Sequence, residues 1–236
     1  MEMTIADIIN KSKKRILKIH KNYKKKLDLP NYNNWVKNSG DEKLKFDYQL
    51  QKDSTIFELG AYLGGMVREF EDKFDCNIVA FEPTSKFYDF LIKNFHRSKT
   101  KIINKGLSNK NEIKKIIFSN DGTLVKKVSK KNKNYENAQL IKLSDFIKEN
   151  KYVSVDLENI NIEGSEYSIL QDLISTNTIS KIEHVQVQFH RNVPFYRVKR
   201  YFLVRQLKKT HNRIWCYDFI WERWDLKNKK ISIDKK

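Results

Sequence analysis

Apolar residues recur every three to four positions through the first 27 residues, at Ile5, Ile8, Ile9, Ile16, Ile19, Tyr23 and Leu27, with lysines filling most of the gaps. That spacing predicts an amphipathic helix, and Pro30 with the run Asn31-Tyr32-Asn33-Asn34 predicts where it ends. From about residue 54 the pattern changes to short apolar runs alternating with helical periodicity. Thr55–Leu59 reads as a strand stopping at glycines, and Met66–Phe74 as a helix with Met66, Val67, Phe70 and Phe74 on one face. Asn77–Phe81 reads as a second strand, Thr84–Phe95 as a helix capped by Thr84, and Lys101–Asn104 as a third strand. Ile113–Phe118 reads as a strand, the polar stretch 119–139 as a mobile loop, and Asp145–Lys148 as a short helix capped by Ser144. Alternation then resumes with a strand at Leu157–Ile162, a helix at Glu166–Ser175, a strand at Glu183–Phe189 and a basic helix near Val198–Lys209. The runs Ile214–Phe219 and Ile220–Leu226 predict a closing hairpin. This order implies an α/β domain, a doubly wound and mostly parallel sheet with helices on both faces. The division falls near residue 50, with a basic helical segment at 1–50 and the sheet domain at 51–236.

Composition narrows this picture. A chain of 236 residues suits one domain, or one domain with a short appendage. No run approaches the ~18 apolar residues of a membrane span. The first residues lack an apolar leader core, which predicts no export by that route and a cytoplasmic location. Cys76 and Cys216 are too few for a disulfide framework or a zinc site.

In a doubly wound sheet, ligands bind beyond the carboxyl ends of the strands. The first strand ends Glu58-Leu59-Gly60-Ala61-Tyr62-Leu63-Gly64-Gly65, a tight turn that lets backbone approach a ligand. Its spacing is not the G-x-G-x-x-G dinucleotide fingerprint, and Glu58 would repel a pyrophosphate. The second strand ends Ala80-Phe81-Glu82-Pro83, placing Glu82 eighteen residues beyond Gly64, near the ~20 expected of an acid that binds ribose hydroxyls. Lys105-Gly106-Leu107-Ser108 offers a wall for an adenine ring. A nucleoside with a positive centre and no phosphate fits these features, which points to S-adenosylmethionine. A P-loop is absent, and the one Tyr-x-x-x-Lys pair, Tyr48 and Lys52, precedes the first strand, where it could not serve a short-chain dehydrogenase. The fourth strand leads to Asn161-Ile162-Glu163-Gly164 beside the first strand. His190 follows the fifth strand, where its ordinary pKa of ~6.5 suits a general base.

Taken in order, these segments resemble the FkbM family of S-adenosylmethionine-dependent methyltransferases. The motifs are Glu58-Leu59-Gly60-Ala61-Tyr62-Leu63-Gly64, Ala80–Pro83, Leu107-Ser108, Asn159–Glu166 and Gln188-Phe189-His190. The chain departs from the family pattern with Asn161 in place of aspartate, Gln188 in place of glutamate, Glu58 in place of aspartate and Tyr62 in place of asparagine. The neutral Asn161 argues against a metal. The resemblance implies a seven-stranded Rossmann-like class I methyltransferase fold, with Glu58, Gly60, Ala61, Gly64, Glu82, Pro83, Leu107 and Ser108 holding the cofactor. It further implies O-methylation of a hydroxyl on a glycan, surface polysaccharide or natural product. His190, Glu163 and Asn161 are the candidates for the chemistry, with His190 accepting the hydroxyl proton and the basic stretch 119–139 closing as a lid. Two rival readings are a nucleic-acid methyltransferase and a cofactor-binding protein without catalysis. The first lacks an Asn/Asp-Pro-Pro-aromatic turn, and stable nucleic-acid binding is not expected.

The formal charge of +18 is unevenly spread. Residues 1–27 carry nine Lys/Arg against two acids, residues 191–213 carry eight against none, and residues 119–139 carry five against two. Residues 227–236 carry five against one, which leaves the rest of the chain mildly acidic. Basic segments flank the expected acceptor side, which favours an anionic glycan. The helix at 1–27 is a candidate for packing on the domain or for peripheral contact with anionic membrane.

Overall fold

The structure is a computed structural model that describes residues 29–119, 122–124 and 135–227. The amphipathic segment 1–27, much of the stretch read as a lid and the basic tail beyond residue 227 lie outside the described residues. So does any test of membrane contact by that segment.

Seven strands form the main sheet. β1 (Thr55–Leu59), β2 (Asn77–Phe81), β3 (Thr100–Ile103), β8 (Val155–Ile160) and β9 (Ile182–Val187) are its parallel part. The hairpin β10 (His211–Tyr217) and β11 (Trp221–Leu226) completes it, with β11 antiparallel to β9. The order β10-β11-β9-β8-β1-β2-β3 is doubly wound, with the chain reversing direction across the sheet between β1 and β8. Two layers of helices cover it. α2 (Gly65–Lys73) and α3 (Ser85–Asn94) pack Val67, Phe70 and Leu91 against Ile56 and Ile78 on one face. On the other face α4 (Leu143–Glu149), α5 (Glu166–Ser175) and α6 (Tyr196–Thr210) pack Phe146, Tyr167 and Leu203 into one core with Phe57, Leu59 and Val185. Alternation along β1 explains this, because successive side chains point to opposite faces and both faces are covered. Each such large side chain, once fully buried, contributes roughly 1.5–3 kcal/mol.

A second sheet, absent from the sequence reading, joins β4 (Gly106–Ser108), β7 (Tyr135–Lys142), β5 (Glu112–Ser119) and β6 (Gly122–Leu124), in that order. Residues 135–139, expected in a mobile loop, are therefore strand. β7 pairs antiparallel with β5 and parallel with β4. Its buried side chains are only Ala138 and Leu140, against Ile116, so the alternation carries little hydrophobic signal. Two expected caps also differ. Ser144 lies inside α4 and donates to Asp172 Oδ2 at 2.6 Å, and the residue before the helix is Lys142. Thr84 does precede α3, but its hydroxyl donates to Glu82 and not to the helix.

Pro30 and the run Asn31–Asn34 lie within a helix, α1 (Leu29–Lys37); the predicted helix before them falls outside the described residues. Residues 29–50 pack against the sheet. Trp35 is buried between Trp215 and Tyr217 of β10, with ring centroids 5.6 and 5.2 Å away. Tyr48 is buried beneath β9, hydrogen-bonded to Gln186. Among the described residues no helix is long and apolar enough to cross a membrane.

Gly40 closes this corner, because a Cβ there would lie 2.1 Å from the Trp35 ring. Gly40→Ala is expected to cost about 1–3 kcal/mol by overpacking. Thermal unfolding should show a Tm lower by several degrees; an unchanged Tm would mean that the corner yields freely.

Candidate functional site

The carboxyl ends of β1, β2 and β8 converge on a cavity of about 580 Å³, counting its open mouth. Backbone in the left-handed region gathers there. Gly60 (φ +94°), Tyr62 (φ +51°) and Gly64 (φ +75°) shape the turn after β1, and Glu163 (φ +49°) with Gly164 (φ +108°) the turn after β8. Non-glycine residues pay for that conformation, and such strain concentrates at functional sites. The first turn folds back over β2, with the amides of Gly60 and Ala61 both donating to the Phe81 carbonyl at 3.1 and 2.9 Å. A Cβ on Gly60 would stand 2.6 Å from the Asn161 carbonyl oxygen, so only glycine lets the two turns approach.

Glu82 is the acid of this cavity. Its carboxyl accepts the Tyr62 amide at 2.9 Å, the Thr84 amide at 2.9 Å and the Thr84 hydroxyl at 2.6 Å. It is 2 % exposed yet lines the cavity. Burial pushes its pKa up to about 7, against the lowering pull of those hydrogen bonds. A carboxylate has roughly four acceptor sites, so capacity remains for a ligand hydroxyl.

Of the residues singled out from the sequence, Gly60, Glu82, Pro83, Leu107, Asn161 and Glu163 line the cavity. Ala61 and Gly64 shape its turn without lining it, Gly64 lying where a Cβ would strike Phe95 at 2.3 Å. Ser108 lines a neighbouring groove instead. Lys105 and Gly106, expected with Leu107 as a wall for an adenine ring, line the cavity too. The sequence reading missed Tyr62 and Leu140 as cavity walls. Tyr62 lay inside a quoted motif, whereas Leu140 arrives through the unforeseen second sheet.

Glu58 is placed differently from expectation. It faces away from the cavity, buried under the sheet, and its Oε2 accepts the Asn159 side-chain amide at 2.7 Å. Asn159 Oδ1 accepts Gln186 Nε2 at 2.7 Å, and Gln186 Oε1 accepts the Tyr48 hydroxyl at 2.9 Å. Glu58, Asn159 and Gln186 are register partners on β1, β8 and β9, so the chain of bonds crosses the sheet. Burial pushes the Glu58 pKa up to about 8, with Asn159 pulling down. Burial thus favours the protonated form, in a chain of hydrogen bonds that links three strands.

His190 is clamped between two acids. Its Nδ1 lies 3.3 Å from Glu166 Oε1 and its Nε2 3.4 Å from Glu163 Oε1. Its backbone amide also donates to Glu166 Oε1 at 2.7 Å, and the Gly164 amide donates to Oε2 at 2.7 Å. Burial lowers the imidazole pKa, but the bonds to Glu163 and Glu166 outweigh it and raise the value to about 9. The clamp thus favours the imidazolium, a form that orients Glu163 and opposes the general-base role expected from the sequence.

A seven-stranded sheet of this order with a cavity at the β1/β8 reversal defines a class I methyltransferase fold. The Methyltransferase FkbM domain model matches residues 8–213, and the chain belongs to that family. Its cofactor is S-adenosylmethionine. The chain is similar in fold to the fibrillarin pre-rRNA processing protein of Methanococcus jannaschii, at 13 % identity and TM-score 0.45, over 76 % of this chain and 69 % of that one. It is also similar to the N-terminal domain of human METTL16 in complex with SAH, at 12 % identity and TM-score 0.42, over 84 % and 69 % of the two chains. No curated protein gives a significant match.

The cavity's donor set fits that cofactor. Glu82 keeps acceptor capacity for hydroxyls, while Gly106 leaves room between Pro83 and Leu140 that a Cβ would fill at 2.4 Å from Leu140.

The buried groups set a pH dependence. The folded pKa of His190, about 9, exceeds the ordinary 6.5. The unfolded chain thus binds fewer protons between those values, and stability falls as pH rises. The contribution is complete below about pH 6.5, lost towards pH 9, and at most about 3 kcal/mol. Glu58, raised to about 8, acts in the same direction between pH 4.5 and 8. Denaturant unfolding of the ligand-free protein should show stability declining from pH 6.5 to 9, with the slope reduced in His190→Gln. Equal slopes in the two proteins would contradict the clamp.

Proposed function

We propose that the protein transfers methyl from S-adenosylmethionine to a hydroxyl of a sugar in a glycan. The observation that carries this is a polar groove, about 1040 Å³ with its mouth, that shares Leu140, Glu163 and Ser165 with the cofactor cavity. Its remaining walls include Ser108, Asn109, Glu112, Ser168 and Asn192. Such a lining suits a ligand that presents many hydroxyls more than an apolar one.

When bound, S-adenosylmethionine supplies an electrophilic methyl group. The chain supplies position and a place for the proton. Glu163, on the shared wall, accepts the hydrogen bond of the acceptor hydroxyl and takes its proton as the oxygen attacks. His190 and Asn192 hold that residue in its left-handed turn, the former by its ring and the latter by an amide donated to the Glu163 carbonyl at 3.0 Å. Asn161 stands on the same wall as a neutral positioning group. Holding two reactants in line is worth ~7–11 kcal/mol in favourable cases, so position accounts for most of the acceleration.

Calorimetry with S-adenosylhomocysteine should show saturable binding that weakens at least tenfold in Glu82→Ala. Absence of binding to the unaltered chain would reject the site. Label from methyl-tritiated S-adenosylmethionine should enter glycan as an alkali-stable ether. Glu163→Gln should lower turnover by about 10²–10⁴-fold with cofactor affinity retained. Label appearing in RNA, or as alkali-labile ester, would favour the rival readings.

A further inference from the structure

The loop that carries His190 separates the acceptor groove from a second cleft. Asn192 lines the groove, and its near neighbour Arg191 lines the cleft. Arg197 of the first turn of α6, Arg200 of the second, and Arg213 of β10 line it as well, in a space of about 1060 Å³ with its mouth. Four guanidinium groups thus converge from a loop, a helix and a strand.

Each one lies near an aromatic ring. Arg191 and Arg200 lie 4.5 and 5.0 Å from the Phe219 ring, Arg197 lies 5.7 Å from Tyr196 and Arg213 lies 5.5 Å from Trp224. A guanidinium attracted to a ring keeps N–H donors that bind oxyanions in forked fashion. Arg200 is already matched, bonded to Glu222 Oε1 at 2.5 Å and Asp218 Oδ1 at 2.6 Å. Neither Arg197 nor Arg213 has a carboxylate within ion-pair distance among the described residues. Among the described residues Asp218 is the one acid lining the cleft, and residues 191–213 contain no acid at all. Gathering like charges in a concave site costs stability, which an anion would restore.

We infer that this cleft binds a phosphate group carried by the acceptor, a second point of attachment beside the methyl-transfer groove. The inference rests on the proposed glycan acceptor and names its chemical class as a phosphorylated sugar. Donors on three separate elements suit a tetrahedral oxyanion, which accepts from several directions, better than a planar carboxylate. The volume exceeds one phosphate and accommodates a sugar phosphate or a diphosphate.

The test uses the full chain at physiological salt with pyrophosphate as probe, followed by calorimetry. Saturable binding is expected, weakened at least tenfold in the Arg197→Gln/Arg213→Gln double variant, with affinity for S-adenosylhomocysteine changed less than twofold. That second measurement reports folding and keeps the cofactor reading separate. Glucose 1-phosphate should bind with the same dependence on these arginines, and glucose should not. No saturable pyrophosphate binding, or equal binding by the double variant, would overturn the cleft. Equal binding by Arg197→Lys/Arg213→Lys would overturn it too, because diffuse positive charge would then suffice. A 12-nucleotide single-stranded RNA that binds through these arginines while glucose 1-phosphate does not would overturn the sugar phosphate in favour of nucleic acid. Glycan methylation that persists unaltered in the double variant would remove the cleft and leave the proposed methyl transfer standing.

Discussion

The cavity exists because two turns approach closer than any side chain permits. The Asn161 carbonyl lies 2.6 Å from where a Cβ of Gly60 would stand, and Gly60 adopts φ +94°. A larger residue would push β1 and β8 turns apart at the point where the sheet reverses its winding. The remaining geometry follows from that contact. The turn after β1 can fold over β2, its Tyr62 amide reaches Glu82, and Glu82 is held at the cavity wall by donors from both β1 and β2 turns. The β8 turn, fixed from the other side by Asn192, offers Glu163 to the cavity and the adjoining groove together.

Charge is sorted by depth. Carboxyl groups inside the sheet keep their protons: Glu58 near 8 under Asn159, and Glu158, without a hydrogen-bond partner among the described residues, also pushed up to about 8 by burial. Around the cavity the balance shifts to pairs, with the His190 imidazolium between Glu163 and Glu166. At the surface of α6 the positive groups accumulate, and aromatic rings order them. A chain of formal charge +18 can thus hold a nearly neutral interior and a basic rim. Uncompensated charge is tolerable only where water or a ligand reaches it.

Much of the main sheet was legible because its strands are buried on both sides. Thr55–Leu59 and Asn77–Phe81 read as continuous apolar runs, and the glycine turn and Glu82-Pro83 stand at their ends. The second sheet was not legible. β7 buries only small or isolated apolar residues on one face, and its partner β4 is three residues long, so its existence depends on contacts distant in sequence. Leu140 therefore came to the cavity unannounced. The packing of residues 29–50 was not legible for a similar reason. Trp35 and Tyr48 meet β10 and β9 about 180 and 138 residues later, and no local pattern encodes such partners.

By itself the sequence determined the α/β class, the order of the parallel strands and the motifs at their carboxyl ends, because hydrophobic period and glycine placement are local properties. The tertiary structure decided what each motif residue does. Burial beneath the sheet favours the protonated form of Glu58, against the opposing pull of the Asn159 hydrogen bond. His190 gained a tendency to hold its proton because Glu163 and Glu166, 27 and 24 positions earlier, meet its two ring nitrogens. Protonation depends on what surrounds a group in space, and only folding brings those surroundings together.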